Sequence, residues 1–304
     1  MGASDSGIDI IKTTTSICGV CRKKCPALVF QEAGRVLMEK TCPEHGKQTA
    51  LLMDDAAFYH RALVGGPGAC STGGCALTNH SCTLMFEITD RCNLTCPTCF
   101  AASSPKEERR ITVDTFRDQL QALRDQGKSG ADVVQFSGGE PTIHPEFTGF
   151  VHAAFEMGVK QVFVNTNGIE LGRRPEILQE LSVYSGRLQL YLQLDGFRPA
   201  THDILRGAKG LGELKIATMN NAHAAGIHVL PVMTVTRGVN LDEVGDVVRF
   251  AWERHPSVKG VMLQPAMYSG RYSHDKLFER VTLSELARAV EEQTDGLFEA
   301  RDFG

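Results

Sequence analysis

From Leu84 to Leu263, short apolar runs alternate with stretches whose apolar residues recur at helical spacing. The runs predict strands over 84–89, 132–136, 160–164, 188–194, 227–235 and 258–263. Between them, Val113, Phe116, Leu120 and Leu123 form one helical stripe, with Thr112 as N-cap. Phe147, Phe150, Val151 and Ala154 form a second, ended by Gly158. Val244, Val247, Val248 and Ala251 form a third, opened by Asn240 and followed by Pro256. Strands alternating with helices imply a parallel sheet. Six such units are too few for an eight-stranded barrel, so the expected fold is α/β, an open partial (β/α)6 barrel. Loops after the strands' C-terminal ends then share one rim. That rim would carry Cys92–Cys99, Gly138–Glu140, Asn165–Gly168 and Asp195–Gly196.

The pattern before Leu84 differs. Ala27–Phe30 and Arg35–Met38 read as a short hairpin turning at Ala33-Gly34, and Leu51–Leu63 as a short helix. Three segments result: a metal-binding region over 1–64, a glycine- and cysteine-rich stretch over 65–83, and the barrel over 84–304. Near the end, Thr282 to Glu285 is a capping box opening a helix with Leu286, Ala289 and Val290 on its apolar side. No terminal strand follows, and the chain is expected to be shortened relative to its relatives.

Composition narrows the classes. The 304 residues are 42% hydrophobic, ample for a packed core. A net charge of −4 gives no general reason to expect nucleic acid as a partner. No apolar run is long enough for a bilayer. Residues 1–5 carry no basic segment followed by an apolar one, so a cytoplasmic location is expected. Ten cysteines in such a chain suggest metal ligation rather than disulfides.

Those cysteines fall into three groups. Cys92, Cys96 and Cys99 sit in a loop stiffened by Pro97 directly after the first barrel strand. Three thiolates suit a four-iron cluster with one iron left open to a small molecule, whereas structural zinc prefers paired Cys-x-x-Cys knuckles. Cys18 and Cys21 form one such knuckle, and Cys42 with His45 a second; Cys25 and His45 compete for the fourth position around zinc or iron. Cys70, Cys75 and Cys82 lie among glycines and are one ligand short of a second iron–sulfur cluster, leaving its fourth position open or non-cysteine.

The cysteine loop resembles the signature of the radical S-adenosylmethionine enzymes. Ser137-Gly138-Gly139-Glu140-Pro141 resembles that superfamily's glycine-rich S-adenosylmethionine loop. The resemblance implies a [4Fe-4S] cluster on Cys92, Cys96 and Cys99 as the catalytic centre. It implies reductive cleavage of bound S-adenosylmethionine to a 5′-deoxyadenosyl radical, fed by a donor such as ferredoxin or flavodoxin. Gly138 and Gly139 would present backbone groups to the methionine moiety, with Glu140 accepting from its ammonium. Asn167 and Asp195 are candidates for the ribose, and Arg206 for the carboxylate. The superfamily often has an aromatic residue where this chain has Thr98, which leaves adenine stacking by Phe100 open. The Cys-x-x-Cys/Cys-Pro-Glu-His-Gly pattern, Glu87–Cys92, Leu263-Gln264-Pro265 and Ser269-Gly270-Arg271 narrow the resemblance. They point to a subfamily holding archaeal tetraether lipid synthase and radical pterin methyltransferases. Carbon–carbon coupling on a lipid chain is the first expectation, methylation of a pterin-like heterocycle the second, and a non-catalytic metal scaffold the rival from another class.

Overall fold

The structure, a computed structural model, describes residues 8–64, 83–126, 132–272 and 280–303. Cys70, Cys75 and Cys82 lie outside the described residues. The chain divides into two compact units, one from residues before 70 and after 274, the other from 70–274.

The first unit begins with β1 (Asp9–Ile17), β2 (Lys24–Glu32), β3 (Arg35–Cys42) and β4 (Gly46–Met53), an antiparallel meander in that order. The expected hairpin is its β2–β3 pair, and Ala33 and Gly34 both take positive φ, as a two-residue loop of that hand requires. The edge strands were not expected, because β1 is mostly exposed and polar and shows no apolar alternation. The helix anticipated over Leu51–Leu63 is strand to Met53 and helix only in α1 (Ala56–Val64). Val29, Val36, Met53, Ala56 and Phe58 form this unit's core.

In the second unit, β5 (Thr83–Thr89) is followed by α2 (Val113–Asp125), β6 (Val133–Gly138) and α3 (Phe147–Glu156). β7 (Gln161–Thr166), α4 (Ile169–Arg173) and α5 (Pro175–Glu180) lead to β8 (Leu188–Gln193). Then come α6 (Pro199–Arg206), α7 (Leu211–Ala224), β9 (His228–Val235), α8 (Val244–Glu253) and β10 (Met262–Pro265). The six strands are parallel and lie in chain order, with β5 and β10 at the two edges. This is the open (β/α)6 arrangement expected. The last strand starts later than expected: Val258 only touches Val229 before the chain returns at Met262. α9 (Leu283–Gln293) has the expected capping box, but it groups with the N-terminal meander and not with the barrel where 84–304 had placed it. Ala287 packs into the meander's core, and Asp54 accepts from Thr282, Ser284 and Arg288. No helix among the described residues is long and apolar enough to cross a membrane.

Burial alternates along the parallel strands, as in Leu188, Leu190 and Leu192 of β8, which are buried while Gln189, Tyr191 and Gln193 are half-buried. The buried face packs against helices. Phe116 of α2 meets Phe86, Phe136 and Phe150 of α3, and Phe150 meets Phe136, with ring centroids 4.8–5.9 Å apart, mostly edge to face. The opposite face is polar and aromatic. Gln135 donates to Asn165 at 2.7 Å, Asn165 donates to Ser137 at 3.1 Å, and Phe163 stacks on Tyr191 at 5.1 Å.

Candidate functional site

In an antiparallel meander the first and third turns lie at the same end. The β1–β2 turn carries Cys18 and Cys21, and the β3–β4 turn carries Cys42 and His45. Their ligand atoms all lie within 4.8 Å of one another. Cys21 Sγ is 3.7 Å from Cys42 Sγ, and His45 Nδ1 is 3.6 Å from Cys42 Sγ. A tetrahedron with zinc–sulfur distances of about 2.3 Å has edges near 3.8 Å, so this donor set fits one ion. Val20 N and Gln48 Nε2 donate to Cys18 Sγ, supplying the outer hydrogen bonds of such a site. The Cys18 thiol is lowered to about 6, first by the backbone of Cys21. The competition for the fourth position goes to His45. Cys25 is buried beside Cys18 and Cys42, but it leads into β2 opposite Ser16 and is not one of the four converging groups. Cys18→Ser and His45→Ala should therefore lower the zinc content of the purified protein, while Cys25→Ser keeps it near about one ion per chain, as a four-ligand site requires. Metal analysis by mass spectrometry reads this directly; equal loss from Cys25→Ser would reassign the ligands.

The second constellation sits at the C-terminal ends of the barrel strands. Cys92, Cys96 and the half-buried Cys99 pack with Leu94, Ile169 and Leu211. Burial pushes the Cys92 thiol up to about 12 and raises Cys96 as well. Thiolates at these positions need a cation to offset their burial, which suits an iron cluster.

The glycine-rich turn braces this loop. Gly139 N donates to Thr89 O at 2.7 Å, and Glu140 N to Arg91 O at 2.9 Å. A Cβ on Gly138 would stand 2.1 Å from Thr89 O, and one on Gly139 would stand 2.2 Å from Arg91 O. Both glycines are thus demanded by backbone approach, whatever else they bind. Glu140, expected to accept from a bound ammonium, is buried instead. Its Oε1 accepts from Thr142 N, Thr142 Oγ1 and Thr166 Oγ1, and its Oε2 from Asn167 N. Burial raises its pKa against those bonds. The carboxylate ties the end of β6 to the end of β7.

Asn167 Nδ2 donates to Asn93 Oδ1 at 2.7 Å, and its own Oδ1 accepts from Ile169 N, so its side chain links the cysteine loop to α4. Asp195 and Arg206, expected to face different parts of one ligand, hold each other. Arg206 Nε donates to Asp195 Oδ2 at 2.7 Å and Nη2 to Oδ1 at 2.6 Å, both groups being buried. Arg206 also opposes the burial-driven rise at Cys96, which places its charge beside the cysteine loop. Phe100 is 67% exposed. Thr98 donates to Leu205 O at 3.1 Å, tying the cysteine loop to α6.

Four further residues complete the rim, and two of them, Lys215 and Glu243, were not singled out from the sequence. Lys215 of α7, 1% exposed, donates to Asn167 O at 3.1 Å and Gln193 O at 2.6 Å, joining the ends of β7 and β8. Burial brings its pKa down to about 8, still above neutrality. Glu243 accepts from Phe197 N, Arg198 N and Thr201 and so shapes the loop after β8. Asn240, expected only to open α8, is buried and donates to Asp195 O and Thr234 O. Arg271 donates to the carbonyls of Cys96, Ala102 and Ser103, and its backbone N to Cys99 O. Gly270 lets this segment approach, since a Cβ there would meet Phe100 O at 2.3 Å. Arg271 had a signal in the Ser269-Gly270-Arg271 run, and Asn240 had one only as a helix opener.

Comparison with known proteins agrees with this layout. Residues 10–54 match the HMPTM N-terminal zinc ribbon domain. Over 311 residues the chain is 33% identical to the 7,8-dihydro-6-hydroxymethylpterin dimethyltransferase of Methanocaldococcus jannaschii, covering 96% of this chain and 60% of that protein. Over 213 residues it is 29% identical to the GTP 3′,8-cyclase of Geobacter sulfurreducens, covering 68% and 63% of the two chains. The chain thus spans about three fifths of the length of both relatives. Among solved structures, Streptococcus suis SuiB bound to precursor peptide SuiA shares the fold, with a TM-score of 0.58 at 18% identity over 71% of this chain and 46% of that one. Residues 86–251, more than half of the chain, match the radical SAM superfamily, and with three thiols on the first loop of its open parallel barrel, the chain belongs to that family.

Proposed function

We propose that this chain is a radical S-adenosylmethionine methyltransferase acting on a pterin-like heterocycle. The observation that carries the reading is the 33% identity to a pterin dimethyltransferase across 96% of this chain. The barrel's open face supports it over lipid coupling, the first expectation. Gln135, Asn165, Gln189 and Gln193 offer amides beside the stacked Phe163–Tyr191 pair, which suits a flat polar ring better than an alkyl chain.

In this reading Cys92, Cys96 and Cys99 hold the [4Fe-4S] cluster, and the N-terminal Cys3His site holds zinc. The bound cluster and S-adenosylmethionine supply the one-electron chemistry that opens an unactivated carbon–hydrogen position. Gly138, Gly139 and Asn167 border the methionine and ribose, and Phe100 flanks the third cysteine. The Arg206 guanidinium, held in place by Asp195, lies beside Cys96. An electron donor such as ferredoxin or flavodoxin belongs to the same proposal. So does a second cluster at Cys70, Cys75 and Cys82, supported by their spacing alone.

The test is an anaerobic assay of the reconstituted protein with S-adenosylmethionine, a reductant and 7,8-dihydro-6-hydroxymethylpterin, read by mass spectrometry. A methylated pterin is expected. Formation of 5′-deoxyadenosine without a methylated pterin would overturn the substrate and leave the superfamily chemistry standing.

Arg271 is a positioning residue in this scheme. Arg271→Met removes the fork that holds three carbonyls of the cysteine loop, each such bond contributing about 1.5–3 kcal/mol. Faster iron release to a chelator is expected. Arg271→Lys, a point charge without the fork, should rescue little of it. An unchanged release rate would remove Arg271 from the account.

A further inference from the structure

Lys215 is among the largest fully buried side chains of the structure, in the company of phenylalanines and leucines. A lysine is almost never buried without a counter-charge, because an ammonium out of water is costly even when it is hydrogen-bonded. Among the described residues no carboxylate pairs with this one. Its Nζ donates to two backbone carbonyls, Asn167 O and Gln193 O. The two acids nearby are taken, Asp195 by both bonds from Arg206 and Glu140 by Thr142, Thr166 and Asn167. Burial lowers the Lys215 pKa to about 8, with Arg206 adding to that and Asp195, Glu140 and Cys96 opposing it. The group is therefore an ammonium at neutral pH.

Packing sets this charge beside the cysteine loop. Leu211, one turn before Lys215 on the same side of α7, packs with Cys92 and Cys96, and Leu214 packs against the same group. Asn167, whose carbonyl Lys215 holds, binds Asn93 next to Cys92 through its side chain. The negative charge that answers the ammonium is the one the thiolates would carry. Three thiolates on a doubly positive [4Fe-4S] core leave one net negative charge, and one-electron reduction makes it two. A fixed cation nearby favours the more negative, reduced form, and net charge is one of the terms that set a cluster's potential. Arg206 adds less than a whole charge to that effect, because Asp195 opposes it at Cys96.

We propose that Lys215 is a positioning residue of the reaction: its buried ammonium, paired with no carboxylate, is the counter-charge of the cluster at Cys92, Cys96 and Cys99 and eases its reduction by the external one-electron donor. The inference rests on the cluster reading and is independent of the pterin reading.

The test is a potentiometric titration of the anaerobically reconstituted holoenzyme, at neutral pH and without S-adenosylmethionine, read by electron paramagnetic resonance. The signal followed is the one lost when Cys92, Cys96 and Cys99 are replaced by Ala. Lys215→Gln keeps a donor for the carbonyls and removes the charge. At a fixed potential its ratio of reduced to oxidised cluster should fall about tenfold, the effect of one unit charge acting through protein, or about 59 mV for one electron. Lys215→Met should behave alike. Lys215→Arg, which keeps the charge, should stay within about twofold of the parent. A lysine that served the fold alone would show no such division between neutral and charged replacements. Loss of the cluster from both neutral variants, with retention in Lys215→Arg, would also support the counter-charge. Three results would each overturn it: neutral variants that titrate with the parent, Lys215→Arg shifted as far as Lys215→Gln, or loss of the cluster from all three. A parent protein without a four-iron signal would overturn the cluster reading, and this inference with it.

Discussion

Replacing Cys92, Cys96 and Cys99 together by Ala should strip about four irons from each chain and abolish 5′-deoxyadenosine formation, as expected of a three-cysteine cluster site. The fold should survive the change. The loop that carries these thiols is held by protein contacts: Thr98 to Leu205, Arg271 to Cys96, Ala102 and Ser103, and the Gly138-Gly139 turn to Thr89 and Arg91. Circular dichroism of the triple variant should therefore match the parent, while iron analysis and product chromatography differ. Retention of full iron content and cleavage activity would refute the assignment. The N-terminal site should keep its ion in this variant, because Cys18, Cys21, Cys42 and His45 share no ligand with the cysteine loop.

The largest expected effect on stability comes from Asp195→Ala. Its carboxylate accepts two bonds from Arg206, one from Gln193 and one from Thr234 N, and neither partner of the ion pair is open to water. Removing the acid leaves a buried guanidinium unpaired, which costs about 3–5 kcal/mol. Urea unfolding of the reconstituted protein checks this. The Asp195→Leu/Arg206→Met double variant should lose much less than the two single changes summed, because each single change strands the other's charge. A loss below about 1 kcal/mol in Asp195→Ala would place the pair among solvent-screened bridges, contrary to its burial. Because the Arg206 guanidinium favours the Cys96 thiolate and Asp195 opposes it, the double variant, which lacks the guanidinium, should release its cluster more readily than Asp195→Ala.

The two cysteine sites differ in how far residue order could resolve them. At the N-terminus, spacing identified both knuckles, but it could not choose between Cys25 and His45. That choice belongs to strand register: β2 starts at Lys24, which takes Cys25 into the ladder opposite Ser16, while His45 stays in the β3–β4 turn with its ring facing the thiols. In the barrel, the order of strand and motif placed Cys92–Cys99 and Gly138–Glu140 on successive loops, and parallel topology put those loops on one rim.

What the sequence determined by itself was what depends on neighbours along the chain. The helical stripes of α2, α3 and α8, the hairpin turn at Ala33-Gly34, the capping box at Thr282 and the cysteine spacings are all local, and the structure contains each of them. Tertiary structure alone decided the partners of polar groups. Glu140, Asp195 and Arg206 have side chains suited to a ligand, yet burial at the rim makes each of them satisfy a neighbour contributed by another strand or helix. Lys215 and Glu243, and the buried role of Asn240, were invisible because a charged or amide residue on a helix or loop carries no sign that its side chain will be buried. Only the packing of loops separated by tens of residues removes water from such groups, and a group without water must find its hydrogen bonds in whatever backbone the fold brings near.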